Sequence, residues 1–125
     1  MSKHCSLQET AALLQAANKI VLCSHVSPDG DTLGSALSLM KALQKLGKDV
    51  IVTVDDEISK VYKFLPGIES FARFQNDERI AADLLVVIDA SSLDRAGNVS
   101  QCVMLLHLSF VRWYHWMVVV LQHQT

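Results

Sequence analysis

The residues with the most chemical potential lie in His25-Val-Ser-Pro-Asp29-Gly-Asp31, between an apolar run ending at His25 and a helix-spaced run beginning at Thr32. A further carboxylate, Asp89, closes a second apolar run. One imidazole with several carboxylates is a mixed nitrogen and oxygen donor set, suited to Mn²⁺ or a similar divalent ion rather than to thiolate-rich structural zinc. A helix starting at this turn adds backbone N–H donors and a positive dipole end, which favour a bound phosphate. Metal ligands beside a phosphate seat point to phosphoryl hydrolysis. Each piece also has a plainer reading. Ser-Pro-Asp-Gly is a common turn, and Asp31 suits the N-cap of a helix starting at Thr32, worth about 1 kcal/mol. His25 suits a structural hydrogen bond at a strand end. Their joint occurrence at strand ends favours a site.

The surrounding pattern supplies elements to position these groups. Ser6-Leu7-Gln8-Glu9 has the form of a capping box ahead of Leu13, Leu14 and Ala17, so a helix is expected over 7–18. Residues 19–25 form a short apolar run without alternation, which reads as a strand buried on both faces. Leu33, Leu37, Met40, Leu43 and Leu46 recur at helical spacing before Gly47, so a helix is expected over 32–46. Residues 49–54 and 84–89 read as two more buried strands, and 58–65 and 77–82 as short helices. Strands alternating with helices imply an α/β fold, mainly a parallel sheet with helices on both faces. Functional groups in such sheets gather at the carboxyl ends of strands, where His25 and Asp89 fall.

A length of 125 residues suits one domain and leaves no room for a two-domain enzyme. Half the residues are hydrophobic and 19% are charged, a globular composition that excludes collagen-like and wholly disordered chains. Eleven Lys and Arg against thirteen Asp and Glu give a net charge of −2, too little positive field to hold long nucleic acid. A nucleic-acid substrate must then be short or held locally. Cys5, Cys23 and Cys102 lack metal-type spacing, and no apolar leader follows a basic start, so a reducing, cytoplasmic setting is expected. Cys23, inside a strand, reads as a small core residue. Asp55-Asp56 suits either a phosphoacceptor pair or, with Glu57, an exposed helix-start cluster. The G-x-G-x-x-G and Walker A spacings are absent.

With the residues in place, a family resemblance is legible. His25-Val-Ser-Pro-Asp29-Gly-Asp31-Thr-Leu-Gly34-Ser35-Ala, with Val86-Val-Ile-Asp89 and Ser91-Ser-Leu-Asp94-Arg95-Ala-Gly97, resembles the first part of the DHH phosphoesterases over about residues 11–99. It is most similar to the branch that hydrolyses short oligoribonucleotides and 3′-phosphoadenosine 5′-phosphate. The resemblance implies a parallel α/β domain with two Mn²⁺ ions, followed by a smaller substrate-binding domain. It further implies that His25 and Asp29 hold the first metal, Asp31 the second, and Asp89 contacts both. Asp31 and Asp89 would be the catalytic carboxylates, and Arg95, near the site, suits either a phosphate contact or a surface or structural role. A metal-activated water would then attack phosphorus in line.

The chain departs from the family where its naming Asp-His-His run should follow Asp89, because no such run occurs. All thirteen acids lie at or before Asp94, while residues 101–125 hold none, together with both tryptophans and three of the five histidines. The expectation is a partial DHH domain over 1–100 and a divergent hydrophobic tail over 101–125, as in a truncated or frame-shifted product. Reading the coding DNA in the other frames beyond Asn98 tests this; absence of an Asp-His-His run there defeats it. His107, Arg112 and His115 interrupt any stretch near the roughly 18 to 20 residues needed to cross a bilayer, so no membrane span is expected. The stretch 117–121 would either add a strand to the sheet or lie exposed and promote self-association. The functional expectation is an impaired manganese-dependent phosphoesterase acting on short RNA or nucleoside 3′,5′-bisphosphate. The alternative is a non-catalytic metal- or nucleotide-binding module.

Overall fold

The computed structural model describes residues 2–4, 6–24, 27–74, 79–88, 103–105, 108–114 and 117–122. The elements run β1 (Ser2–His4), α1 (Leu7–Ala16), β2 (Lys19–Ser24), α2 (Gly30–Lys45), β3 (Asp49–Val54), β4 (Ile80–Ala82), β5 (Leu84–Ile88), β6 (Val103–Leu105), β7 (Leu108–Tyr114) and β8 (Met117–Gln122). Six strands make one sheet in the order β1-β7-β8-β5-β2-β3, and β4 and β6 make a separate parallel pair. The fold is α/β with a mainly parallel sheet. One strand in from the β3 edge, β2 pairs in parallel with both β3 and β5, so Leu22 lies between Val52 and Val86. Parallel neighbours require a crossover, and α2 supplies the one from β2 to β3.

Burial explains why these strands lack alternation. Residues 20–24 and 84–88 are all buried, as a sheet covered on both faces demands. Ile20, Leu22, Val52, Leu84, Val86 and Ile88 share one face and pack with Leu37, Met40 and Leu43 of α2. Leu13 and Leu14 of α1 join the same cluster. The capping box forms as its spacing requires, with the Glu9 amide donating to Ser6 Oγ at 3.1 Å and the Ser6 amide to Glu9 Oε1 at 3.2 Å.

Asp83 joins three elements where they meet at the amino edge of the sheet. Its Oδ2 accepts the Asn18 and Lys19 amides, both at 2.9 Å, and its own amide donates to Lys19 O at 2.9 Å. Asp83→Ala strips the charged acceptor from two backbone donors and is expected to lower stability by about 2 kcal/mol, read from the urea midpoint. Asp83→Asn, which keeps an acceptor oxygen, should recover part of that loss.

Three local expectations give way to tertiary context. Residues 58–65 form no α-helix, only a one-turn 3-10 helix over Lys60–Tyr62, and a second 3-10 helix, Ile68–Ser70, follows. The stretch is too short to sustain an isolated helix, and Pro66 with the left-handed Gly67 (φ 86°) ends it. Residues 80–82, expected to be helical, form β4, because parallel pairing with β6 outweighs helix propensity; Asp77 and Glu78 lie outside the described residues. Of the two expectations for 117–121, strand addition holds. β8 pairs antiparallel with β5 on one side and β7 on the other, so its backbone groups are not an open edge. No helix among the described residues is long and apolar enough to cross a membrane.

Candidate active site

The carboxyl ends of β2, β3 and β5 meet the amino end of α2. Asp29, rather than Asp31, caps that helix: it is extended (φ −111°, ψ −179°), and its Oδ1 accepts the Thr32 amide at 3.0 Å. Helix α2 therefore starts at Gly30, two residues before the pattern implied, and Asp31 lies exposed in its first turn. Asp31 is thus released from the capping role and its carboxylate faces solvent. Among the described residues no acceptor meets the Gly30 and Asp31 amides, which leaves two orphan N–H groups at the dipole's positive end.

Two long-range hydrogen bonds hold this turn in place. Thr32 Oγ1 donates to Ile88 O at 3.2 Å in a buried setting, pinning the start of α2 to the last residue of β5. The Ser27 amide donates to Asp56 Oδ2 at 2.6 Å, tying the turn after β2 to the acid that follows β3. Ser27 is the one non-glycine with positive φ (54°) among the described residues, so the left-handed step of the turn falls there and not at Gly30. At Gly30 the approach is close instead: a Cβ there would come to 3.2 Å from Tyr62 Cε1, tight enough that the Tyr62 ring would have to shift slightly, because it lies against the first residue of α2.

Asp55 and Asp56 are half-buried and start no helix, which corrects the exposed-cluster reading. Asp56 acts as a positioning acid for the Ser27 turn, and the Asp55 carbonyl accepts from Arg73 Nη2 at 3.1 Å. Neither role had a local sequence signal. Cys23 is the core residue its strand position suggested. Burial first, and the Asp55 charge second, push its thiol from 9.0 up to about 12, so it stays protonated and is no nucleophile.

His25, Asp89 and Arg95 lie outside the described residues. The residues before the first two, Ser24 and Ile88, are register partners on adjacent strands. Ser24 Oγ is fully buried and meets no hydrogen-bond partner among the described residues, an orphan polar atom at the edge of the site. Among the described residues no three His, Cys, Asp or Glu side chains form a cage. The donor chemistry nevertheless fits a divalent ion. Asp29 commits Oδ1 to the helix and retains Oδ2, and Asp31, two residues on, is a second hard carboxylate.

The chain is 40% identical over 53 residues to the bifunctional oligoribonuclease and PAP phosphatase NrnA of Thermus thermophilus, covering 42% of this chain and 16% of that protein. It superposes on the crystal structure of an exopolyphosphatase-related protein from Bacteroides fragilis with a TM-score of 0.61 and 27% identity, covering 76% of this chain and 30% of that one. The chain thus spans less than a third of the length of either protein. A model of the DHH family, N-terminal domain, matches residues 19–111, the span holding β2, α2 and β5 and the turn they position. By that match the chain belongs to the DHH family, through its N-terminal domain.

Proposed function

We propose that the chain carries the metal-binding part of a manganese-dependent phosphoesterase site for short oligoribonucleotides or nucleoside 3′,5′-bisphosphate, working in the cytoplasm with impaired turnover. The observation that carries this reading is the Thr32 to Ile88 hydrogen bond, which sets the capped Asp29-Gly-Asp31 turn against the end of the strand that precedes Asp89. Asp29 and Asp31, with His25 and Asp89, would hold the metal, and Arg95 would contact a phosphate. When bound, such an ion supplies an acidified water and neutralises charge on the phosphoryl oxygens. The chain's own contribution is orientation. The Gly30 and Asp31 amides receive a phosphate oxygen at the positive end of α2, and Thr32 keeps that end fixed against β5. The similarity to an oligoribonuclease and PAP phosphatase supports the substrate class. Impairment follows from the missing Asp-His-His run, which leaves few protein ligands for a second ion.

Calorimetric titration with Mn²⁺, paired with a short-oligoribonucleotide hydrolysis assay, tests the reading. Saturable Mn²⁺ binding weakened by Asp31→Ala, with slow hydrolysis lost in the same variant, is the expected result. One weak site without hydrolysis would instead make the chain a non-catalytic metal- or nucleotide-binding module. No Mn²⁺ binding would end the proposal.

A further inference from the structure

We infer that the turn around residues 60–64 is a stacking platform for single-stranded nucleic acid, with Tyr62 and Phe64 receiving bases and Lys60 and Lys63 receiving phosphates. The inference rests on the substrate class proposed above and places the part of a substrate that extends beyond the carboxylates. Its anchor is Tyr62, whose ring lies against Gly30, the residue between Asp29 and Asp31. From that contact the chain leads outward through an exposed aromatic and two exposed cations. Phe64 is 76% exposed and Val61 68% exposed. Lys60 and Lys63 are exposed as well, and among the described residues no carboxylate meets either one.

Backbone hydrogen bonds tie the turn together. Lys63 N donates to Lys60 O at 3.2 Å, Leu65 N to Tyr62 O at 3.0 Å, and Tyr62 N to Ser59 O at 3.1 Å. Side chains shown on a backbone held in this way lose less freedom on binding, which is what a stacking surface needs. Beyond Phe64 the segment follows α2, leaving a shallow groove between Leu65-Pro66 and Gly34, Leu37, Ser38 and Lys41. Gly30 to Lys41 spans about 16 Å along the helix, a length suited to a short oligonucleotide, and Lys41 adds a third cation at the far end.

Charge selects the occupant. With a net charge of −2, the protein has no broad positive field, so any polyanion must be held by local cations alternating with aromatic faces. The sequence Lys60-Val-Tyr62-Lys63-Phe64 supplies that alternation within one turn.

Fluorescence anisotropy of the full 125-residue chain with a labelled tetraadenylate RNA in EDTA provides the test. Phe64→Ala is expected to weaken binding about tenfold, and Phe64→Trp to restore it. Lys60→Ala with Lys63→Ala should reduce the magnitude of the logarithmic salt slope by about 1.4. Affinity within twofold of wild type in both variants overturns the inference, as does a wild-type chain that does not bind the RNA. A change in sedimentation state in place of RNA affinity also overturns it, by making the patch a contact between copies. Because EDTA removes the metal, Phe64-dependent binding in a chain that fails to bind Mn²⁺ would defeat the phosphoesterase reading and leave the platform standing.

Discussion

Asp29→Asn is expected to lose Mn²⁺ affinity by more than about 100-fold while leaving the thermal midpoint almost unchanged. The two effects separate because Asp29 is the N-cap of α2 and, in the function proposed above, also a metal ligand. As the N-cap of α2 it needs only an oxygen to accept the Thr32 amide, and an asparagine oxygen caps as well as a carboxylate. As the proposed metal ligand it would need its charge and its second oxygen, which the amide lacks. Changing groups that merely orient metal ligands typically reduces affinity 10- to 100-fold, so losing a ligand itself should exceed that range. Asp29→Ala removes both roles and should in addition lower stability by about 1 kcal/mol. Calorimetry with Mn²⁺ and differential scanning calorimetry of the two variants check the pair. Equal Mn²⁺ affinity in wild type and Asp29→Asn would show that the residue is only a cap.

Leu22→Ala should be the most damaging single truncation of the fold, lowering stability by about 3 to 5 kcal/mol. Leu22 is fully buried in the middle of β2, a strand paired on both sides, between Val52 and Val86 and beneath α2. Its removal sacrifices apolar burial and leaves a cavity that neighbours on two paired strands cannot collapse to fill. Domains of this kind are held by about 5 to 15 kcal/mol in total, so the variant should unfold at much lower urea. Leu46→Ala, at a leucine 62% exposed, should change stability by no more than about 0.5 kcal/mol. Similar urea midpoints for the two variants would contradict the packing described for β2. The same strand carries Ser24 to the sheet edge, so loosening it also loosens the site.

The readable parts of this protein were those whose determinants lie close together in the chain. The capping box at Ser6 and Glu9 is a contact three residues long, and the apolar spacing of α2 repeats within one helix. Asp29-Gly-Asp31 stood out because a turn beside a helix start is equally local. Where two local readings competed, the pattern did not choose. It offered Asp31 as the cap, and the extended backbone of Asp29 decided otherwise.

By itself, then, the sequence determined the alternation of buried strands and helices, the carboxylate turn at a strand end, and membership of a fold with its chemistry at the carboxyl edge. Tertiary structure alone decided how the site is held. The Ser27 to Asp56 hydrogen bond joins residues 29 apart and the Thr32 to Ile88 bond residues 56 apart. The contact of Tyr62 with Gly30 and the antiparallel pairing of β8 with β5 are likewise non-local. Periodicity and capping report only on neighbours within a turn or two of chain. Contacts across a sheet exist only after the strands have met, so Asp56 and Tyr62 carried no local sign of what they support.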